Sequence, residues 1–320
     1  MFASISDGLR SAAKQPKLVL LLWAWYGLLA LVPAVPAWAW WNGVLGASPE
    51  AATVLKGFSF GVWRELASHE GVSGMGLLAA ATAVVLLVAW ISSAFVFGGI
   101  LEAYSSDGER RSFMHRFSRG GGHFFWRFIR LSIIAGVCLV LALGAVSALV
   151  VGATSHLADS EWEPASFLVG TVNVLAFVIV AALFLLALDY TRIRVARDDA
   201  RGMLRGYASG FGFVLRNALT AYGVAIPFVA MLVVLMLGYV AYETKAPAAA
   251  TWFAIGTLFL IHQALVLGRV FLRVALVGAE RHVDMVRRPL PVPVPAPGAV
   301  VAQAAEPMPE DVATPPAEPV

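Results

Sequence analysis

The chain has 320 residues, of which 59% are hydrophobic and only 13% charged, with a mean hydropathy of +0.78. Soluble domains carry roughly a quarter charged residues, so this composition excludes an ordinary water-soluble protein and predicts an all-α, polytopic membrane protein. The formal net charge of +3 says less than the placement of the charges, and the single cysteine, Cys138, excludes a disulfide framework, a cysteine zinc site or a paired-thiol redox centre.

The first segment, FASISDGLRSAAKQPK, places Phe2, Ile5, Leu9 and Ala13 near helical spacing with Arg10, Lys14 and Lys17 among the polar positions. It predicts a short interfacial helix stopped near Pro16. Leu18 to Trp41 follows, long enough to cross about 30 Å of hydrocarbon at about 1.5 Å per residue. Its basic start and the triplet Ala37-Trp38-Ala39 also fit a cleaved leader. Trp38, Trp40 and Trp41 as an interfacial belt, with Pro33 and Pro36 as a kink, favour a retained span.

From Asn42 to Ser73 runs the longest connection between spans. Ser48-Pro49-Glu50 signals a helix start, and Val54, Phe58, Val62 and Leu66 recur every four residues, which predicts a surface-lying helix, with a ligand-gating lid as the alternative. Five further spans are expected at 75–100, 131–153, 167–188, 218–241 and 249–268, the last continuing through Arg269 and Arg273 as a snorkelling end. Of the 23 Lys and Arg, three (Lys56, Arg64 and Lys245) fall in the odd-numbered connections and 20 on the other side. That bias places both chain ends in the cytoplasm. The connection ATSHLADSEWEPAS, with Asp159, Glu161 and Glu163 and no cation, suits the external face.

Two basic, glycine-broken ribbons precede spans: SFMHRFSRGGGHFFWRFIR (112–130) and GMLRGYASGFGFVLR (202–216). Each ends in G-x-x-F-x-x-R (Gly121, Phe124, Arg127; then Gly210, Phe213, Arg216), the second 89 positions after the first. With the N-terminal helix they divide the chain into three tandem units, starting near Leu9, Phe113 and Met203, each an interfacial helix followed by a transmembrane hairpin. Because the matched connectors lie on one side, the repeats are expected to be parallel. Glu102, Asp189 and Glu280 each sit at the cytoplasmic end of an even-numbered span and are candidates to clasp arginines of the ribbons, against a reading as solvated helix-end charges.

Gly120, Gly121 and Gly122 lack the preceding strand and following Lys-Ser/Thr of a phosphate loop, and are expected to turn the chain from a surface helix into a span. Arg110, Arg111, Arg116, Arg119 and Arg127, interleaved with aromatic rings, and then Arg201, Arg205 and Arg216, point to anionic lipid headgroups at about 1 kcal/mol each, and away from nucleic acid. Arg192, Arg194 and Arg197 continue the theme, moderated by Asp198 and Asp199. Gly144, Ala148 and Gly152 form a small-residue ladder expected to pack another helix, as do Ala94 and Gly98.

Deep polar groups are scarce: His262 and Gln263 in the sixth span and Asn173 in the fourth, either a hydrogen-bonded packing feature or a proton-responsive or substrate-orienting site, to which Pro227 could open a carbonyl. His69, His115, His123, His156 and His282 are scattered without metal-ligand spacing, and no nucleophile elbow or paired carboxylate is present, so neither catalytic residues nor cofactors are expected. After Arg288, proline occupies every second position from 289 to 297, and the remainder lacks aromatic residues. The transmembrane domain is therefore placed at 1–288 and a disordered, polyproline-II-like cytoplasmic tail at 289–320, a spacer in preference to a docking motif.

AAKQPKLVLLLW, FVFGGILEAY and DYTRIRVARDDARGMLRGYASGFGFVLRN together resemble bacterial inner-membrane proteins similar to the membrane-anchor region of glycerophosphodiester phosphodiesterases. The resemblance covers about residues 1 to 280 and implies a six-helix bundle. The phosphodiesterase barrel is absent from this chain, so that activity is not implied. The resulting expectation is a non-enzymatic protein of the bacterial cytoplasmic membrane, a lipid-contacting scaffold with a membrane-protein partner. A transporter-like subunit with a cavity near His262 is the alternative, and an intramembrane enzyme comes third.

Overall fold

The computed structural model describes residues 2–45, 71–105, 112–158, 164–199, 202–244 and 252–288. By contacts the chain separates into residues 1–284, the helical unit, and 285–320, of which 285–288 are described. Eight helices follow in order among the described residues: α1 (Phe2–Ala13), α2 (Pro16–Leu45), α3 (Gly71–Ser105), α4 (Phe113–Ala158), α5 (Pro164–Asp198), α6 (Met203–Arg216), α7 (Ala218–Glu243) and α8 (Trp252–Arg287). Six of them, α2, α3, α4, α5, α7 and α8, are long and apolar enough to cross a membrane. The protein is an all-α polytopic membrane protein. The surface helix expected after Asn42, the acids of the connection at 159–163 and the proline-rich tail lie outside the described residues.

The tight packing is confined to one end of the spans. Among the described side chains none is fully buried in α2 beyond Leu29, in α3 before Ala94, in α4 beyond Ala135, in α5 before Leu186, in α7 beyond Phe228 or in α8 before Leu265. All of these limits leave the core at the end where the arginines cluster, called the basic end below. The physical reason lies in the solvent: apolar side chains gain nothing by leaving lipid for another helix, so association needs close backbone approach or polar contacts. Both are concentrated at the basic end.

The first ribbon departs from expectation. Residues 113–158 form one uninterrupted helix of 46 residues, roughly 69 Å at 1.5 Å per residue, and Gly120 to Gly122 do not turn the chain. No proline or capping side chain interrupts the run at Arg130-Leu131, and two of the glycines serve another purpose. A β-carbon on Gly121 would meet the Phe95 ring at 2.7 Å, and one on Gly98 would meet the Gly120 carbonyl oxygen at 2.7 Å and the Gly121 Cα at 3.3 Å. The glycines let the α3 and α4 backbones touch. The second ribbon does form its own helix, α6, because the chain turns at Asn217, whose side-chain amide donates to the Phe213 carbonyl at 3.0 Å.

Among the described residues, glycine contacts of this type join three pairs of helices. Gly120 faces Gly98 and Glu102 of α3, Gly210 faces Ala187 and Thr191 of α5, and Gly8 faces Ala275 and Ala279 of α8. Each partner is a pair four residues apart near the end of an even-numbered span, and the pairs are 89 and 88 positions apart in the chain. The segment that leads into each hairpin, α1, the N-terminal part of α4 or α6, therefore docks on the last helix of another hairpin. This also alters the reading of α1: its fully buried positions are Ser4, Gly8 and Ala12, while Phe2 is 83% exposed. A small-residue face meets α8, and Ile5 and Leu9 are only partly buried against the core. The Gly144-Ala148-Gly152 ladder makes no such contact, since a β-carbon on Gly144 or Gly152 would meet nothing within 4 Å.

Candidate functional site

The basic end holds a buried charge network built by α5 and α8. Arg273, Glu280 and Asp284 are spaced i, i+7 and i+11, which puts them on one stripe of α8. On α5, Asp189 and Arg192 share one side while Arg194 and Arg197 share another. Asp189 accepts two hydrogen bonds from Arg273, at 2.8 and 3.0 Å. Asp284, fully buried, accepts from Arg194 Nε at 3.0 Å and from Arg197 at 2.8 Å. The pairs are separated by 84, 90 and 87 positions, and so small a spread is what two helices running in the same direction produce.

Arg192 is 5% exposed. Its guanidinium lies 5.1 Å from the Phe97 ring centroid and 6.0 Å from that of Phe128, and it donates to Ser132 Oγ at 2.7 Å. Its distance to Asp189 is 3.8 Å, an ion pair without a hydrogen bond. Arg194 stacks at 4.2 Å over Phe213, joining α6 to the network. Glu280 is 1% exposed and both of its carboxylate oxygens are buried without a hydrogen-bond partner, as is the Tyr190 hydroxyl, which stands within electrostatic reach of Asp189, Glu280 and Asp284. Tyr104 ties α3 to the same helix, its hydroxyl donating to the Val274 carbonyl at 2.9 Å.

Beside this network is a cavity of about 60 Å³, lined by Tyr26, Ser93, Arg192 and Arg273 among apolar residues of α2, α3 and α8. Both charged groups on its wall are arginines. The side chain of Arg273 remains 43% exposed although it is paired.

The expected clasp thus takes a different form. Asp189 joins α5 to α8 through Arg273, a residue of a span and not of a ribbon, and Arg273 is a paired group instead of a simple snorkel. Glu102 stands against Gly120. Arg192, Arg194 and Arg197 are internal ion-pair partners, not lipid-facing charges. Of the ribbon arginines, Arg119, Arg205 and Arg216 are exposed, Arg116 is half-buried, and Arg110, Arg111 and Arg201 lie outside the described residues. The deep polar residues are not brought together: His262 packs edge-on to Tyr239 with ring centroids 5.7 Å apart, Gln263 accepts from Trp23 Nε1 at 3.1 Å, and Asn173 Oδ1 is buried without a partner.

Arg127 donates to Asp199, which also lies 3.7 Å from His123. Asp199 has φ 47°, the left-handed conformation common just past a helix end and tolerated by aspartate. The hydrogen bond and charge of Arg127 hold the Asp199 carboxyl below the usual carboxylate range. Because folding lowers this pKa, the pair stabilises the fold at and above the unfolded carboxyl's value of about 3.9 and loses its effect as pH falls through the folded value. The thermal midpoints of the native chain and Asp199→Asn should therefore differ at neutral pH and converge in acid; a difference that persists unchanged in acid contradicts the assignment.

Sequence reasoning missed Ser132, Tyr26, Ser93 and Asp284. Of these only Asp284 carried a readable signal, the charged stripe on α8 matched by arginines of α5 at a near-constant offset. No protein-family model, curated protein or solved structure matches this chain.

Proposed function

We propose that the chain is a non-enzymatic, lipid-contacting scaffold of the bacterial cytoplasmic membrane, with the basic end and both termini in the cytosol and a membrane protein as partner. The observation that supports it best is the exposed face of α4, where Arg119, Trp126 (68% exposed) and Arg130 lead directly into the apolar residues Ile133 and Val137. An indole followed one turn later by an arginine at the edge of an apolar stripe suits a headgroup layer. Arg205 and Arg216 on α6 and Arg269 on α8 are exposed at the same end, and none of these arginines makes an ion pair with a described residue. The continuous α4 also gives the charged ribbon a rigid mount on the span.

Each such arginine contributes about 1 kcal/mol toward an anionic surface. Replacing Arg119, Arg130, Arg205 and Arg216 by Gln should lower the anionic fraction of lipid co-purifying with the protein several-fold, read by lipid extraction and mass spectrometry. An unchanged fraction in a folded variant would remove the proposal's support, as would reporter fusions that place Arg116 outside the cell.

A further inference from the structure

The two arginines lining the small cavity are not used up by their partners. Arg273 gives one N–H from each terminal nitrogen to Asp189, leaving three of its five. Arg192 gives one to Ser132, and its Nε is buried without a partner. Two guanidinium groups thus flank one space with spare donors, while the carboxylate between them, Asp189, is already engaged by both arginines. Tyr26 adds a hydroxyl, Leu22 and Val270 add apolar wall, and the Ser93 hydroxyl on the same wall donates to the Trp90 carbonyl at 2.7 Å.

The cavity also lies at a definite depth. Arg192 and Arg273 come just after the apolar runs of α5 and α8 end at Leu188 and Gly268, and Arg269 is exposed one turn from Arg273. α2 closes the site, held to α8 by Trp23 and Gln263 and to α3 by the Trp25 indole, which donates to Ser92 Oγ at 3.3 Å. Tyr26, 39% exposed, and Arg273 give the cavity contact with the surroundings of the bundle.

We propose that this cavity is a binding site for the phosphate of an anionic membrane lipid, with phosphatidic acid the best-fitting species. The chemistry is that of an oxoanion held between two forked guanidinium groups. The cavity is small, about 60 Å³, which suits a phosphate group, and a phosphomonoester, carrying more negative charge than a phosphodiester, matches two guanidinium groups best. The acyl chains stay outside, along α2 and α8. The inference rests on the proposed placement of the basic end in a headgroup layer, but it concerns a single stoichiometric site distinct from the exposed arginines.

The test is native mass spectrometry of the full chain in non-ionic detergent, titrated separately with phosphatidic acid, phosphatidylcholine and inorganic phosphate. The native chain should retain one phosphatidic acid in preference to phosphatidylcholine. Ser93→Leu, which fills the cavity without removing a charge, should weaken that adduct at least tenfold, with Val96→Phe as the second filling variant should the first fail to fold. The four-arginine Gln variant should keep the single adduct while losing bulk anionic lipid, so the two proposals fail separately. Equal retention of phosphatidic acid by native and folded cavity-filled chains overturns the site. A phosphate-ion adduct without lipid preference overturns the lipid as its occupant.

Discussion

Replacing Asp284 by Ala should destabilise the folded protein by about 3–5 kcal/mol, the usual cost of removing one partner from a buried ion pair. The size follows from the geometry. Asp284 is fully buried and receives hydrogen bonds from both Arg194 and Arg197, whose side chains are 12% and 14% exposed. Without the carboxylate both guanidinium groups lose their counter-ion and face each other's charge, although Arg194 keeps its hydrogen bonds to the Ser209 carbonyl and hydroxyl, at 3.1 and 3.2 Å, and Arg197 its bond to the Asp284 carbonyl at 3.3 Å. The effect belongs to the missing partner and not to the value of the network, because replacing all three residues by apolar ones of similar size is often neutral. Asp284→Leu combined with Arg194→Met and Arg197→Met should accordingly recover most of the loss. Denaturation midpoints of the detergent-solubilised proteins decide the matter, and a single variant within about 1 kcal/mol of native would show that the arginines find other partners or reach water.

Gly98→Ala is the second large effect, and its sign is the informative part. Alanine in place of glycine in an exposed helix interior usually adds about 0.5–1 kcal/mol of stability, and Gly144→Ala should behave in this way because a β-carbon there meets open space. At Gly98 the same methyl would stand 2.7 Å from the Gly120 carbonyl oxygen. That atom belongs to backbone and cannot rotate aside, so α3 and α4 must separate, at a cost of about 1–3 kcal/mol typical of overpacking. Thermal midpoints moving in opposite directions for the two variants would confirm that the tight end of the bundle rests on backbone approach. If Gly98→Ala were as benign as Gly144→Ala, the α3–α4 contact would not govern stability.

The glycines also show where reading the chain alone goes astray. Gly120-Gly121-Gly122 and Gly144-Ala148-Gly152 are both small-residue clusters, one suggesting a turn and the other a packing ladder. The folded chain reverses the roles: the first lies within a continuous helix and carries the contact, and the second faces outward. A glycine's use depends on whether another backbone comes within reach, and no local pattern contains that information. The charged residues show the same limit. Arg192, Arg194 and Arg197 look like Arg119 and Arg205 in composition, yet α8 lies beside the first group and leaves the others exposed.

The chain by itself determined the helical class, the six spans and the clustering of arginine at one end of them. These are local properties, because a run of apolar side chains is stable in lipid wherever its neighbours stand and its length need only match the hydrocarbon. Tertiary structure decided which arginines are consumed by Asp189 and Asp284, which glycines touch, and that α1 docks on α8. Those outcomes depend on helices brought together from 22 positions apart, as at Gly98 and Gly120, to 84–90 and beyond, where an approach of a few ångströms separates a hydrogen-bonded ion pair from a free charge.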